Sequence, residues 1–328
     1  MTASTPAPLL SVRDLQVHFK VRGQGFWAEK RSLKAVNGVS FDLYPGETLG
    51  IVGESGCGKS TLARAILNLI PSSAGKVAWM GREMAGATPA DWQQVRRHVQ
   101  MVFQDPLASL NPRMNIAQII GEPLRTHRPD MPAADILARV KAMLVRVGLS
   151  ETHLYRYPHE FSGGQCQRIG IARALILEPK LIVCDEPVSA LDVSIQAQII
   201  NLLKNLQKEM QLALIFIAHD LAVVKHVSQR ILVMYLGRTM ELAGKHELYA
   251  DPKHPYTRAL LSAVPLADPV RERGKVVQML AGDLPSPIDP PSGCVFRTRC
   301  PHAFDRCVAE VPPLKAINPR TQAACWLY

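Results

Sequence analysis

The first quarter of the chain alternates apolar and polar side chains in a way that predicts strands. Residues 15–19 and 39–43 show the period-2 alternation of half-buried strands, and a polar loop is expected between them at 20–34. Residues 48–52 are continuously apolar, which is typical of a buried strand. The helix expected after that strand carries one apolar face, formed by Leu62, Ile66, Leu69 and Ile70.

The remainder of the sequence alternates short apolar strands with helices. Further strands are expected at 77–80, 99–103, 181–185 and 213–218. Five prolines between residues 106 and 132 interrupt a helical region, and its clearest helix follows Pro132 with an apolar face of Ile136, Val140, Met143 and Val147. We therefore interpret this region as an all-helical insertion in an α/β protein.

The segment after the buried strand contains the most specific motif. Residues 53–61 read Gly-Glu-Ser-Gly-Cys-Gly-Lys-Ser-Thr and fit G-x-x-x-x-G-K-[ST]. Glycines let the backbone approach phosphate oxygens, and the N–H groups at a helix start attract anions. Lys59 is expected to reach the β- and γ-phosphates, and the Ser60 hydroxyl to bind Mg²⁺. We call this segment the phosphate loop, and its predicted nucleotide-binding residues are Gly53, Glu54, Ser55, Gly56, Cys57, Gly58, Lys59, Ser60 and Thr61.

A second segment combines a glycine pair with polar neighbours. Ser162, Gly163, Gly164 and Gln165 precede a helical run that extends to Leu177. Ser162 and Gln165 have the spacing of a helix capping box, with the glycines allowing close approach. On spacing alone, this segment is either a structural cap or a binding element.

Two carboxylates and a histidine follow apolar strands further along. Asp185 ends the strand at 181–185, where a carboxylate is costly unless it is paired or near a cation. Mg²⁺ held by Ser60 would supply that cation, and Glu186 would then orient or deprotonate the attacking water. His219 follows another strand and is expected at the same sheet edge.

Composition and charge narrow the class of protein. The chain has 328 residues, is 47% apolar and 20% charged, and carries a net charge of +10, which suits an anionic partner. Its longest apolar run, 212–218, is too short to span a bilayer, and its start lacks the features of a signal peptide. A cytosolic location is therefore expected, in which seven cysteines do not by themselves indicate disulfides.

The order of these motifs resembles that of the nucleotide-binding subunit of an ATP-binding cassette (ABC) transporter. In family terms, the chain has Walker A at 53–60, the Q-loop at Gln104, the signature at 161–165, Walker B at 181–185, the catalytic glutamate at Glu186, the D-loop at 189–192 and the switch histidine at His219. Phe161 replaces the family's usual leucine at the start of the signature. This departure lies before the phosphate-contacting residues and should cost little.

The resemblance implies a fold and a set of roles. It implies a P-loop NTPase core with an antiparallel β subdomain, a helical subdomain at about 106–178, a nucleotide-binding domain at 1–245 and a small cysteine-containing extension at 246–328. It assigns Gln104, Glu186 and His219 to catalysis, and Ser60, Gln104 and Asp185 to Mg²⁺. It assigns further ATP contacts to Phe19, Ser162, Gly163, Gly164, Gln165 and Asp192. The adenine-stacking role of Phe19 has an alternative, a residue of the strand core.

Three segments place the likeness within the bacterial oligopeptide and dipeptide importers: 156–168, 254–265 and 285–294. The resemblance then implies a heterodimer with a sister ATPase, two transmembrane permease subunits and a periplasmic peptide-binding protein, at the cytoplasmic face of the inner membrane. No nucleic-acid partner is expected. The alternatives are a soluble ABC-type ATPase acting on nucleic acid or ribosomes, which the basic charge would suit, and a nucleotide-binding regulator that does not hydrolyse ATP.

Four cysteines near the end of the chain form a quartet. Cys294, Cys300, Cys307 and Cys325 are separated by five, six and seventeen residues. Four thiolates suggest a tetrahedral sulfur site for zinc or an iron–sulfur cluster, although the C-x-x-C pairs of a zinc ribbon are missing. The resemblance to peptide-importer ATPases implies that this quartet binds a [4Fe–4S] cluster. Zinc and free structural thiols remain the alternatives.

Overall fold

The computed structural model describes residues 7–22, 30–265 and 268–328. Its strands are β1 (Leu10–Arg22), β2 (Lys30–Leu43), β3 (Thr48–Val52), β4 (Ala74–Trp79), β5 (Arg82–Glu83), β6 (Val99–Val102), β7 (Leu181–Asp185), β8 (Ala213–Ile217), β9 (Arg230–Tyr235), β10 (Arg238–Gly244), β11 (Lys315–Asn318) and β12 (Thr321–Ala323). Its helices are α1 (Lys59–Ile66), α2 (Pro89–His98), α3 (Ile116–His127), α4 (Ala133–Arg146), α5 (Gly163–Leu175), α6 (Val193–Met210), α7 (Leu221–Val227), α8 (Lys245–Ala250), α9 (Pro255–Ala263), α10 (Pro269–Arg273) and α11 (Asp305–Ala309).

The chain divides into two units. The first contains Met1–Leu43, Thr48–Ala85 and Ala218–Tyr328, and the second contains Tyr44–Glu47 and Gly86–Ile217. The phosphate loop therefore belongs to the first unit, and the predicted carboxylates and signature belong to the second. Among the described residues, no helix has the length and apolar character needed to cross a membrane.

The first unit contains an antiparallel sheet in the order β2-β1-β4-β5. Its apolar residues lie opposite one another, as Leu15 does with Val39, and are buried on one face of the sheet, although the β1–β2 pairing contains register shifts. The polar loop expected at 20–34 is wrong in its extent, because β1 continues to Arg22 and β2 begins at Lys30. Backbone pairing such as Lys20 with Ser32 does not require apolar side chains. The rest of that predicted loop, 23–29, lies outside the described residues.

The first unit also contains the strands that support the phosphate loop. β3 pairs in parallel with β9, β9 pairs antiparallel with β10, and β10 pairs in turn with β12. All five residues of β3 are buried, as its continuous apolar sequence predicts. β11 and β12 come from residues 246–328, which we call the C-terminal extension, so part of that segment joins the same set of strands.

Helix α1 is shorter than its apolar pattern predicts. It ends at Ile66, and Asn68 adopts a left-handed φ of 52° that cannot continue the helix. Leu69 is consequently 49% exposed rather than part of the buried face. The prediction that Leu69 and Ile70 extend this face is therefore wrong.

The second unit places helices beside a parallel sheet. β8, β7 and β6 pair in parallel in that order, and β7 and β8 are fully buried. The helix expected after Pro132 is confirmed as α4, whose buried residues are Ile136, Val140, Met143 and Leu144. α3 begins with a capping box between Asn115 and Gln118. Helices α3, α4 and α5 supply the helical region that the sequence predicts.

Candidate nucleotide site

The phosphate loop folds around the side chain of Lys59. Its ammonium donates hydrogen bonds to the carbonyl oxygens of Gly53 at 2.7 Å and Glu54 at 3.0 Å, and the residue is only 4% exposed. Burial of an ammonium is tolerated when its donors have acceptors. The lysine is thereby held against the loop at the start of α1, where helix N–H groups favour an anion.

Two glycines allow this loop to pack as tightly as it does. A Cβ on Gly58, which has φ of 102°, would lie 2.0 Å from the carbonyl oxygen of Ala35. A Cβ on Gly53 would lie 2.2 Å from the carbonyl oxygen of Met234. Both distances are far below any van der Waals contact, so any larger residue would displace the loop. The neighbouring Cys57 is buried, and burial raises the pKa of its thiol.

The second unit brings two of the predicted catalytic residues into direct contact. The side-chain amide of Gln104 donates to the Glu186 carboxylate at 3.0 Å. Glu186 follows β7 directly after the buried Asp185, and its φ of 45° is unusual for a residue other than glycine. Its backbone N–H donates to the Ile217 carbonyl at 3.1 Å, so this turn is fixed to the end of β8. Strained backbone of this kind is common at functional sites.

The signature segment forms the start of α5. Ser162 and Gln165 make the reciprocal bonds of a capping box, at 3.0 Å and 3.4 Å. A Cβ on Gly164 would lie 2.5 Å from Cγ2 of Ile195, whereas one on Gly163 would meet only an ordinary contact. Gly163 is exposed, so this helix start presents an open, uncharged surface. The structural cap is therefore real, and it does not conflict with anion binding by the same helix start.

The remaining predicted residues lie at helix starts or on exposed surface. Asp192 precedes α6 as its N-cap residue, and His219 is exposed just after β8. Phe19 lies in β1 and is 42% exposed, which disfavours its alternative as a core residue. Ser60 and His219 belong to the first unit, whereas Gln104, Asp185, Glu186 and Asp192 belong to the second.

Two residues that the sequence did not single out contact the phosphate loop from the C-terminal extension. Arg299 forms an ion pair with the Glu54 carboxylate, and the Tyr256 hydroxyl accepts the Glu54 backbone N–H. No local pattern could have identified them, since both contacts join segments more than 200 residues apart. Glu54 is therefore held by the extension through both its backbone and its side chain.

The C-terminal cysteines lie near enough to one another to affect the pKa of Cys294. The pKa of Cys294 is raised to about 11, mainly by burial and in part by the nearby Cys307, Cys300 and Cys325. All seven cysteines are unbridged. Within the described ranges, however, no group of three or more His, Cys, Asp or Glu side chains could hold a metal ion. The quartet supplies suitable donor chemistry, but its thiols are not arranged as a ligand set.

The loop, the buried lysine and the Gln104–Glu186 pair define the class of protein: an ATPase with a P-loop nucleotide cassette. The ABC transporter family model matches residues 36–189, and the model for the C-terminal region of oligopeptide/dipeptide transporters matches residues 240–307.

Relatives that align over nearly the whole chain support the same family. The oligopeptide transport ATP-binding protein OppF of Escherichia coli K12 is 63% identical over 309 residues, which cover 94% of this chain and 92% of the relative. OppF of Haemophilus influenzae is 61% identical, with coverage of 97% and 96%. The chain belongs to this family of ABC transporter ATP-binding subunits, and it hydrolyses ATP.

A solved structure confirms the α/β cassette fold. The dimeric, post-hydrolysis ATP-binding cassette MJ0796 with ADP and phosphate has a TM-score of 0.64 and 27% identity, covering 72% of this chain and 98% of that one. The relatives do not favour the alternative of an ATPase acting on nucleic acid.

Proposed function

We propose that this chain uses ATP hydrolysis to drive the uptake of peptides, and that its cargo is oligopeptides. The observation that carries the proposal is the match of residues 240–307 to the C-terminal region of oligopeptide/dipeptide transporters, together with relatives named for oligopeptide transport that align over nearly the whole chain. The cassette would supply the energy, and membrane subunits would supply the path for the peptide.

The residue roles in this proposal come from the resemblance to the family, and local contacts support those of Lys59, Gln104 and Glu186. The phosphate loop holds the triphosphate, with Lys59 already fixed beside it by two carbonyl oxygens. Glu186 orients or deprotonates the attacking water. Gln104 holds the Glu186 carboxylate in place through its hydrogen bond. Ser60, Gln104 and Asp185 hold Mg²⁺, while Phe19 stacks on adenine and His219 and Asp192 act near the γ-phosphate.

The proposal also includes a paired arrangement of two cassettes. The exposed start of α5, with Ser162 and Gly163, would contact the γ-phosphate bound by the phosphate loop of a second cassette. ATP then holds the pair closed, and hydrolysis releases it. We propose that the second cassette is a similar sister subunit, and that two permease subunits and a periplasmic peptide-binding protein complete the importer at the cytoplasmic face of the inner membrane.

Reconstitution tests this function directly. The chain, a candidate sister ATPase, two permeases and the binding protein would be assembled in proteoliposomes, and labelled peptide uptake would be measured together with ATP consumption. We expect uptake that requires ATP and stops when Lys59 is replaced by alanine. ATP hydrolysis without peptide uptake would contradict the cargo assignment, and an active assembly that contains only this cassette would contradict the sister subunit.

The cysteine quartet is assigned separately. We propose that Cys294, Cys300, Cys307 and Cys325 bind a [4Fe–4S] cluster, supported by their four-thiol donor chemistry, by the family resemblance and by the way neighbouring thiols of the quartet help to raise the pKa values of Cys294, Cys300 and Cys325. Such a cluster would join the segments of a small extension with little core of its own, and no redox step is required.

Anaerobic purification followed by visible spectroscopy and iron, sulfide and zinc analysis distinguishes the outcomes. We expect about four iron and four sulfide per chain, lost in Cys300→Ser and retained in Cys166→Ser, which removes a buried thiol outside the quartet. Zinc at one per chain, or no metal, would overturn the cluster assignment.

A further inference from the structure

Glu54 places a negative charge inside a loop that binds an anion. It directly follows Gly53, and its carbonyl oxygen accepts a hydrogen bond from the Lys59 ammonium. A carboxylate close to bound phosphate oxygens would oppose them electrostatically, most strongly where water is partly excluded. The orientation and neutralisation of this carboxylate therefore affect how well the loop binds a nucleotide.

The C-terminal extension neutralises that charge through Arg299. Its Nη1 atom lies 3.1 Å from one carboxylate oxygen of Glu54 and 2.9 Å from the other. The side chains are 11% and 27% exposed, so solvent screens this pair less than a fully exposed one. Charge-assisted contacts with both oxygens also restrict the direction in which the carboxylate can point.

A second contact from the extension fixes the backbone of the same residue. The Tyr256 hydroxyl accepts the Glu54 N–H at 2.9 Å. Tyr256 is fully buried, with its ring 4.8 Å from that of Tyr235 and 5.4 Å from that of Phe296. The Arg299 guanidinium lies over the Tyr235 ring at 5.9 Å. One aromatic cluster thus supports both residues that hold Glu54.

We propose that Arg299 is a positioning residue for nucleotide binding, which acts through Glu54. It directs the Glu54 carboxylate toward the extension, cancels its charge and holds the first half of the phosphate loop in the shape that receives the triphosphate. The C-terminal extension is therefore a functional part of the nucleotide site as well as a structural addition. This inference rests on the proposed role of the phosphate loop in holding ATP.

The first test compares Arg299→Ala with Arg320→Ala in the full-length chain. Arg320 also pairs with a glutamate, Glu247, but both residues lie in the extension and outside the loop. We expect Arg299→Ala to raise the MgATP dissociation constant and the KM of the assembled ATPase about three- to tenfold, with kcat within about twofold. Arg320→Ala should leave both constants unchanged. Arg299→Lys should restore part of the affinity, because it retains the charge but loses the planar geometry.

A double-mutant cycle with Glu54→Gln separates this pathway from a general structural effect. If Arg299 acts through Glu54, the fold-changes of the two single variants in the MgATP dissociation constant do not multiply in the double variant. Adding Arg299→Ala to Glu54→Gln then changes the dissociation constant little. Multiplying effects, an unchanged KM in Arg299→Ala, or a loss of kcat alone would overturn the proposal. If Arg299→Ala does not fold, the comparison of Arg299→Lys with Glu54→Gln provides the same test.

Lys59→Ala distinguishes failure of this inference from failure of the proposed function. Loss of MgATP binding in Lys59→Ala with no effect of Arg299→Ala would reject only the positioning role. Normal MgATP binding in Lys59→Ala would reject the assignment of the loop, and the positioning role with it.

Discussion

The side-chain amide of Gln104 donates a hydrogen bond of 3.0 Å to the carboxylate of Glu186, across 82 positions of sequence. Gln104 follows β6 and Glu186 follows β7, and these neighbouring parallel strands bring their carboxyl ends together. The bond fixes the position of one oxygen of the carboxylate. It explains how residues at the ends of two neighbouring strands can act together.

Glu186→Gln should nearly abolish ATP hydrolysis while preserving ATP binding. An amide has similar shape and can still accept from Gln104, but it cannot take a proton from water. We expect turnover of the assembled transporter to fall about 10²- to 10⁴-fold, with ATP retained on the closed pair of cassettes. The measurements are steady-state phosphate release and retention of labelled ATP.

Glu178→Gln provides the matched control for that change. Glu178 lies in the same unit and pairs with Arg139 at 3.8 Å on the exposed surface. It should have wild-type turnover, because exposed pairs of this kind contribute little. Unchanged turnover in Glu186→Gln would remove Glu186 from the catalytic step.

Lys59→Ala should weaken MgATP binding about 10- to 100-fold. The change removes the ammonium that the Gly53 and Glu54 carbonyls hold in place, and with it a charged donor for the phosphates. Isothermal titration with MgATP measures the effect. Lys76→Ala is the control, since that lysine forms an exposed pair with Glu83 in the same unit. Equal affinities of the two variants would contradict the assigned role of Lys59.

Gly163→Ala and Gly164→Ala should have different effects, although the two glycines are adjacent. A methyl group on Gly164 would overlap Cγ2 of Ile195, so we expect a loss of about 1–3 kcal/mol in stability. A methyl group on Gly163 meets only an ordinary contact and should leave stability unchanged or slightly increased. Urea unfolding measures both values.

The second readout for these glycines is ATP-dependent pairing of cassettes. Gly163→Ala should impair pairing without loss of stability, because its methyl group projects from the exposed helix start that we assign to the partner's γ-phosphate. Ile195→Ala should relieve the clash in Gly164→Ala. If both glycine variants fold and pair normally, the signature assignment fails.

The local motifs could be predicted from sequence because their chemistry is contained in short segments. The positions of Lys59 and Asp185 follow from a buried strand and a turn of fixed length. The end of α1 could not be predicted from its apolar spacing, because Asn68 in a left-handed conformation overrides that pattern before Leu69. The pairing of β1 with β2 from Lys20 onward could not be predicted either, because it depends on backbone hydrogen bonds and not on side-chain alternation.

The contacts of Glu54 depend on tertiary structure and have no local signal. Arg299 lies 245 positions away and Tyr256 lies 202 positions away. The sequence identified the extension through its cysteines and the importer-like segments 254–265 and 285–294, whereas the structure shows its Arg299 and Tyr256 at the phosphate loop. Side chains that act through a distant partner become visible only once the fold brings them together.

The buried His254 predicts a loss of stability in mild acid. Its Nδ1 atom accepts the Tyr256 N–H at 3.0 Å, and burial, assisted by the charge of Arg258, lowers its pKa to about 3. An unfolded histidine binds a proton near pH 6.5. Between these two pKa values only the unfolded chain takes up the proton. The contribution of His254 to the free energy of unfolding therefore falls as the pH falls below about 6.5.

His254→Asn isolates this effect, because asparagine can also cap α9 but does not titrate. We expect wild-type stability to drop by about 2 kcal/mol more than that of the variant between pH 7 and pH 5. The neighbouring Glu241, whose pKa is raised by burial, contributes the opposite slope in both proteins and cancels in the difference. At pH 8 the difference reports the changed cap and the changed packing against Phe296. Denaturant unfolding at each pH measures these values, and parallel pH profiles would show that His254 takes up a proton in the folded chain.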